Sequence, residues 1–246
     1  MKANALREDP TTDLGKPENI GRLTRLSLYQ SVIYCDDSGS MGQFPERYRN
    51  QRDLVTRIAR IATRIVPDDM AGVDLRFINS PGLERLDANA IERAVDAVTP
   101  RGGTKIGTQL REKILKPLVY DVISKPQPTA PIPFKRPLLV CTITDGCPYP
   151  ETRDTLMKAV LECKQKLDAA GYDPTAVMFL ISQVGTDDSA AEFLDTLRSE
   201  PRIQDVVYVT TENLDKKFEE LKTNERGLEL WLLRLLTGPI MDRHEE

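Results

Sequence analysis

The sequence has only one histidine, His244, in a polar segment at its C-terminal end. This scarcity argues against a Ser-His-Asp triad, against most zinc hydrolase sites and against acid–base catalysis by histidine. Four cysteines are present, at Cys35, Cys141, Cys147 and Cys163. Their spacings are not the paired spacings of a zinc site, and three of them fall within or beside apolar segments. The pattern predicts reduced core thiols, and therefore a cytoplasmic or nuclear protein.

The chain also lacks a strong charge of either sign and a long apolar run. Its formal net charge is −4 over 246 residues, so no whole-protein field would attract nucleic acid or anionic lipid. No stretch is long enough to cross a bilayer, and residues 1–14 lack the apolar centre of a secretory signal. With 40% hydrophobic residues, the sequence predicts one globular domain that binds through a local site and not at a membrane.

Short β-rich segments alternate with longer segments of helical period, which is typical of parallel βαβ units. We predict strands at 28–35, 73–79, 138–144, 176–184 and 206–210. Helices are predicted at 49–66, at 88–98, at 106–123 with a kink at Pro117, and in a segment that ends at Ala170-Gly171. The expected fold is a three-layer, Rossmann-like, doubly wound α/β architecture with a mostly parallel central sheet flanked by helices.

We divide the chain into a poorly ordered lead-in (1–25), the α/β domain (26–238) and a polar C-terminal tail (239–246). Residues 125–137 contain five prolines and are interpreted as an extended surface loop within the domain. Residues 228–236 are apolar around nearly the whole helix. This segment is either a deeply docked terminal helix or a surface on which Trp231 and its neighbours contact a partner.

A loop rich in hydroxyls and carboxylates follows the first predicted strand. Asp36, Ser38 and Ser40 stand at alternate positions there, so that in an extended turn their oxygens converge on one small hard cation. Such a run is by itself more typical of a turn or a helix cap. Thr104, before a predicted helix, and Asp145, at the end of a predicted strand, belong to the same edge of the sheet and favour a metal site.

These three segments, VIYCDDSGSM, RGGTKIGTQL and LVCTITDG, resemble the metal-ion-dependent adhesion site (MIDAS) of von Willebrand factor A (vWA) domains. The resemblance extends over most of the chain and implies an intracellular vWA protein that is not an enzyme. It implies that Ser38 and Ser40 bind the metal directly, Asp36 and Asp145 directly or through water, and Thr104 adjustably. The implied ion is Mg²⁺, with Mn²⁺ or Ca²⁺ as substitutes, and the implied partner is a protein that presents Asp or Glu.

The surroundings of the site carry two further expectations. Asp37 adds a carboxylate beside the site, but its alternate position predicts that it points away from the metal and caps a turn. Four side chains are candidates either for a rim around the cation or for packing within loops. They are Gln43, Phe44, Tyr48 and Tyr149.

Three other functions remain open at this point. Gly102-Gly103-Thr104 before a helix is compatible with a phosphate cradle in a Mg²⁺-dependent phosphoester-processing enzyme. Arginines recur on the first long helix, as in a nucleic-acid-binding face or an ordinary solvated one; they are Arg49, Arg52, Arg57, Arg60 and Arg64. A domain of this fold can also act as a metal-independent scaffold in a larger assembly. Oligomeric state is not encoded in these patterns.

Overall fold

A parallel sheet organises the fold. The computed structural model describes residues 2–124 and 136–241, and within them six strands form one sheet. These are β1 (Gln30–Cys35), β2 (Val73–Phe77), β3 (Leu83–Leu86), β4 (Leu138–Thr144), β5 (Val177–Gln183) and β6 (Val207–Val209). Their order is β3-β2-β1-β4-β5-β6, and only β2 and β3 pair antiparallel. The predicted α/β fold is confirmed.

Helices flank this sheet; they lie before β1, between strands and after β6. The α-helices are α1 (Lys2–Arg7), α2 (Pro17–Ser27), α3 (Gly39–Gln43), α4 (Pro45–Ala62), α5 (Ala88–Asp96), α6 (Ile106–Leu110), α7 (Asp121–Ile123), α8 (Thr155–Ala169), α9 (Asp188–Arg198), α10 (Leu214–Leu221) and α11 (Glu225–Met241). A π-helical stretch, Arg111–Tyr120, joins α6 to α7 and contains Pro117. The helix predicted at 106–123 is therefore continuous, and its α-type bonding is interrupted around the residue that has no N–H.

The central strands are buried on both faces. Every residue of β2 and β4, and all of β1 except Gln30, is buried. Most of their residues are apolar, as expected of a parallel sheet covered by helices, although β2 also buries Asp74 and Arg76. The strand β3 was not predicted, because it has only four residues, most of them exposed, and they read Leu-Glu-Arg-Leu without an apolar run.

The N-terminal segment differs from the poorly ordered chain expected for residues 1–25. Residues 2–7 and 17–27 are helical, and Leu6, Leu14 and Leu23 are buried in the main core. Ile20, Leu23 and Leu26 recur at helical spacing, so α2 presents one apolar face to the domain. The division into 1–25, 26–238 and 239–246 stays a prediction, although helix α11 extends to Met241 and residues 242–246 lie outside the described residues.

Helix α11 is docked against the rest of the domain. Leu228, Leu232, Leu233 and Leu236 are buried, and the helix contacts α2, α4, α10 and the sheet. Trp231 is half-buried and its indole N–H donates to Glu212 at 3.0 Å. Contact with α2 on one side and the domain on the other accounts for an apolar surface around most of α11. The described part of the chain contains no helix with the length and apolarity needed to cross a bilayer.

Candidate metal-binding site

The site lies at the carboxyl edge of two adjacent parallel strands. Asp36 follows β1 and Asp145 follows β4, and these strands pair in register, with Cys35 beside Ile143. The strand β1 has β2 on its other side, so the chain leaves β1 at the point where the strand order reverses. Open α/β sheets bind their ligands in the crevice at such a switch point.

A chain of hydrogen bonds joins the two aspartates through the serines. Asp36 accepts the Ser38 backbone N–H at 2.9 Å. The Ser38 and Ser40 hydroxyl oxygens lie 3.0 Å apart, and the Ser40 hydroxyl donates to Asp145 Oδ1 at 2.9 Å. The other Asp36 oxygen accepts the Thr144 hydroxyl at 2.6 Å. Two carboxylates and two hydroxyls thus converge in one small volume.

The loop that carries Thr104 is held against these residues by its backbone. The Gly39 N–H donates to the Gly102 carbonyl at 3.0 Å, and Thr104 and Tyr149 exchange two backbone hydrogen bonds of 2.7 and 3.1 Å. A Cβ placed on Gly146 would lie 3.8 Å from the Thr104 hydroxyl oxygen and 3.9 Å from that of Ser40. The structure therefore brings all five predicted residues together, while their binding of a metal stays a prediction.

Burial disfavours the ionised form of both carboxylates. Burial, and after it the charge of Asp145, raises the pKa of Asp36 to about 6. Burial also raises the pKa of Asp145, against the opposing effect of Ser40 and Arg47. Within the described residues no group of three or more His, Cys, Asp or Glu side chains is arranged to hold a metal. The candidate ligand set is instead two carboxylates with neutral hydroxyls, which suits a hard cation that keeps some of its water.

Asp37 points away from this cluster, as its alternate position predicted. Its two oxygens accept the backbone N–H groups of Asn79 and Ser80 at 2.7 and 2.8 Å. Lys113 lies nearby and donates to three backbone carbonyls, including that of Ser80 at 2.9 Å. Asp37 therefore fixes the loop after β2 and is not among the candidate ligands.

Sequence reasoning missed one residue of the site. Arg47, in the first turn of α4, donates to Asp145 Oδ2 at 3.1 Å, and the Asp145 side chain is fully buried. The Arg47 guanidinium also lies 4.0 Å from the centre of the Phe44 ring. Nothing in the local sequence marks this arginine, because its partner is 98 positions away in the chain.

Of the four candidate rim residues, Tyr48 is ruled out by its packing. Its side chain packs against the core and its hydroxyl donates to the Val95 carbonyl at 3.0 Å. Gln43 is exposed at the end of the short helix α3, which also contains Ser40. Phe44 and Tyr149 are 43% and 73% exposed, and so are free to contact a partner. Tyr149 is tied by its backbone to Thr104, which places this aromatic side chain next to the site.

The structure also bears on the alternatives. The backbone N–H groups of Gly107 and Thr108, at the start of α6, donate to the Glu151 carboxylate at 2.7 and 3.0 Å, so this helix start is already occupied by an anion of the same chain. Two arginines on α4, Arg52 and Arg57, and Arg64 just after it form ion pairs with acidic side chains, as on a solvated face. His244 lies outside the described residues.

Several solved protein structures are similar to this fold. Proximal thread matrix protein 1 from the mussel byssus is similar over 84% of this chain and 48% of its own, with 16% identity and a TM-score of 0.52. A structure of the same mussel protein "with zinc occupied MIDAS motif" has 15% identity over 84% of this chain and a TM-score of 0.50. Manganese-loaded TRAP protein of Plasmodium vivax has 15% identity over 80% of this chain and 73% of its own, with a TM-score of 0.50.

These neighbours are vWA-domain proteins, and the chain has the vWA fold that its motifs predicted. It spans about half the length of the mussel chains that it matches. No protein-family model matches the sequence, and neither does any curated protein.

Proposed function

We propose that this chain is a divalent-cation-dependent protein–protein interaction module. The observation that supports it most directly is the pair of buried aspartates, Asp36 and Asp145, which hydrogen bonds through Ser38 and Ser40 link, with Thr104 alongside. Burying two carboxylates this closely is unfavourable, and of the two only Asp145 has a positive charge beside it, that of Arg47. A dication compensates both at once.

These five residues would hold the ion, with Mg²⁺ as the expected occupant and Mn²⁺ or Ca²⁺ as substitutes. A bound dication supplies a positive centre that attracts a carboxylate. The partner is expected to be a protein that presents Asp or Glu, flanked by side chains that pack on Phe44 and Tyr149. Metal-bearing vWA neighbours support this proposal, since one is described as zinc-occupied and another as manganese-loaded.

We infer binding and not catalysis. The described residues at this edge include no histidine, and the start of α6, where a phosphate would have been cradled, is occupied by Glu151. Free cysteines support a reducing compartment, the cytoplasm or nucleus, because Cys35, Cys141 and Cys163 are buried thiols.

Calorimetric titration with Mg²⁺ and Mn²⁺ tests the metal. Wild type should bind one ion per chain, and Asp36→Ala should abolish binding. Asp205→Ala is the matched control, because Asp205 precedes β6 at the opposite edge of the sheet and only pairs with Lys164 on the surface. Wild type that binds neither ion, or Asp36→Ala that binds like wild type, would contradict the assignment.

The partner is tested by affinity capture in Mg²⁺ and in chelator, with wild type and Asp36→Ala. Capture that requires both the ion and Asp36 supports the proposal. A metal-independent scaffold is the second candidate, and the Arg47 ion pair favours it, because Asp145 already has one cationic neighbour. That candidate predicts capture that is unchanged by chelator.

A further inference from the structure

We propose that Arg47 is a specificity-determining residue of this site, which weakens metal binding and strengthens binding of an anionic partner group. This role rests on the proposed function and gives one side chain opposite effects on the two ligands. Both oxygens of Asp145 are engaged in hydrogen bonds. Ser40 donates to Oδ1, and the Arg47 guanidinium donates to Oδ2.

The position of Arg47 is fixed from several sides. Its side chain is only 17% exposed, although arginine side chains are usually solvated. Phe44 stacks on the guanidinium at 4.0 Å. Gly185, in the loop after β5, has no Cβ, and one placed there would be 2.8 Å from the guanidinium carbon. The absence of a side chain at Gly185 thus makes room for the charge beside Asp145.

The charges of the site give Arg47 its effect. Three buried carboxylates lie at this edge, on Asp36, Asp37 and Asp145. Two basic side chains are close to them: Arg47 at Asp145, and Lys113, whose charge interacts with that of Asp37. A dication added to these five groups leaves one excess positive charge, since Asp187, the other carboxylate whose charge interacts with Arg47, is exposed and therefore screened by solvent. A site with one excess positive charge binds one carboxylate to neutrality and discriminates against a neutral side chain.

Arg47 therefore acts in opposite directions on the two ligands. It repels the incoming dication and holds one oxygen of a candidate ligand, so its removal should tighten metal binding. Once the metal is bound, the same positive charge attracts the partner's carboxylate, so its removal should weaken that contact. A residue with a merely structural role would change both affinities in the same direction.

The experiment compares wild type with Arg47→Gln, which is neutral but keeps a donor for Asp145, and with Arg47→Lys, which keeps the charge. Arg57→Gln is the matched control, because Arg57 is on the same helix and pairs with Glu225 away from the site. Mn²⁺ affinity is measured by calorimetry. At saturating Mn²⁺, affinity is then measured for a blocked Gly-Asp-Gly tripeptide and for its Gly-Asn-Gly counterpart. Urea unfolding verifies the fold, and Arg47→Met replaces a Gln variant that does not fold.

We expect Arg47→Gln to bind Mn²⁺ about tenfold more tightly than wild type. Coulomb's law gives this factor for the repulsion between a dication and a unit positive charge about 6 Å apart in a water-like medium. Its affinity for the Asp peptide should fall at least about threefold, with no change for the Asn peptide. Arg57→Gln should match wild type, and Arg47→Lys should lie between wild type and Arg47→Gln.

Two other outcomes separate this inference from the proposed function. If wild type binds Mn²⁺ and Arg47→Gln binds it equally or more weakly, the role of Arg47 is wrong and the metal site stands. If Mn²⁺ binds only to Arg47→Gln, the proposed function fails for the native chain while Arg47 is supported as a competing cation. Absence of binding in both proteins overturns both.

Discussion

Asp36→Asn is expected to stabilise the metal-free protein at neutral pH, although it removes a candidate metal ligand. Burial, together with the charge of Asp145, raises the pKa of the Asp36 carboxyl from 3.8 to about 6. Each pKa unit is worth about 1.4 kcal/mol, so the ionised carboxyl destabilises the folded protein by about 3 kcal/mol. Asparagine carries no charge, so the variant does not have this destabilisation.

The hydrogen bonds around Asp36 should tolerate the amide. Its oxygen can continue to accept the Ser38 N–H, which now lies 2.9 Å from Oδ1. Its NH₂ group would face the Thr144 hydroxyl, which can accept that bond and donate instead to the Gly146 carbonyl, at 3.4 Å in the present structure. Because the second bond is long, we expect a net gain of about 1 to 3 kcal/mol for the variant.

The pH dependence has a definite sign. The raised pKa means that the folded state keeps the Asp36 proton up to about pH 6, whereas the unfolded chain loses it near pH 4. The unfolding free energy of wild type therefore falls as pH rises between these values, and the loss is complete above about pH 6. The advantage of Asp36→Asn should be largest at about pH 7.5 and should shrink by more than half at about pH 4.5.

Urea unfolding of both proteins in chelator at these two pH values measures the difference directly. With Mg²⁺ at about a hundred times its Kd, wild type should gain about 2.7 kcal/mol and the variant nothing. A variant that is less stable than wild type by more than about 1 kcal/mol in chelator at neutral pH, or a difference that does not change with pH, would refute the reasoning.

Other changes test the loops and the thiols. Gly103→Ala would place a Cβ 2.5 Å from the Tyr149 carbonyl oxygen, so the substitution should displace Thr104. We expect urea unfolding to show a loss of about 1 to 3 kcal/mol in stability, and calorimetry to show weaker Mn²⁺ binding. Unchanged Mn²⁺ binding would contradict the role of this loop. Asp37→Ala leaves two backbone N–H groups without acceptors and should destabilise the folded protein by about 2 to 5 kcal/mol. The fraction that remains folded should still bind Mn²⁺ in calorimetry. Loss of Mn²⁺ binding without loss of stability would instead identify Asp37 as a metal ligand. Cys147 is the least buried of the four cysteines and should be the one thiol that labels rapidly in the native state, with the other three reacting only on unfolding, as mass spectrometry can determine.

The convergence of Asp36, the two serines and Asp145 could be predicted because it follows from topology, whereas Thr104 is held there by its backbone bonds to Tyr149. Residues that end parallel strands meet at one edge of the sheet, whatever lies between them in sequence, and β4 has the bounds that its apolar run predicted. Asp37 was likewise predictable, because alternation along an extended segment decides which way a side chain points.

Other features were less accessible from sequence, for identifiable reasons. The segment 17–27 was overlooked because its three apolar residues are dispersed among polar ones, although Pro17 at the first helical position and the spacing of Ile20 and Leu23 are the signal of an amphipathic helix. Arg47 is a different case. Its contact with Asp145 depends on how α4 packs beside the sheet, and no local pattern encodes that approach.

Arg47 makes the two aspartates of the motif unequal. In the sequence, Asp36 and Asp145 appear as two carboxylates whose negative charge only a metal compensates. In the folded chain Asp145 already has a cationic neighbour, whereas Asp36 is fully buried, and its oxygens accept hydrogen bonds only from neutral groups. The ionised form of Asp36 therefore depends most on a bound metal ion for stabilisation, whereas the ionised form of Asp145 is already stabilised by Arg47. We therefore expect Asp36→Ala to eliminate Mn²⁺ binding and Asp145→Ala to weaken it only in part, because Arg47 already neutralises part of the charge that Asp145 offers to a metal. Equal effects of the two substitutions in calorimetry would show that Arg47 does not distinguish the two carboxylates.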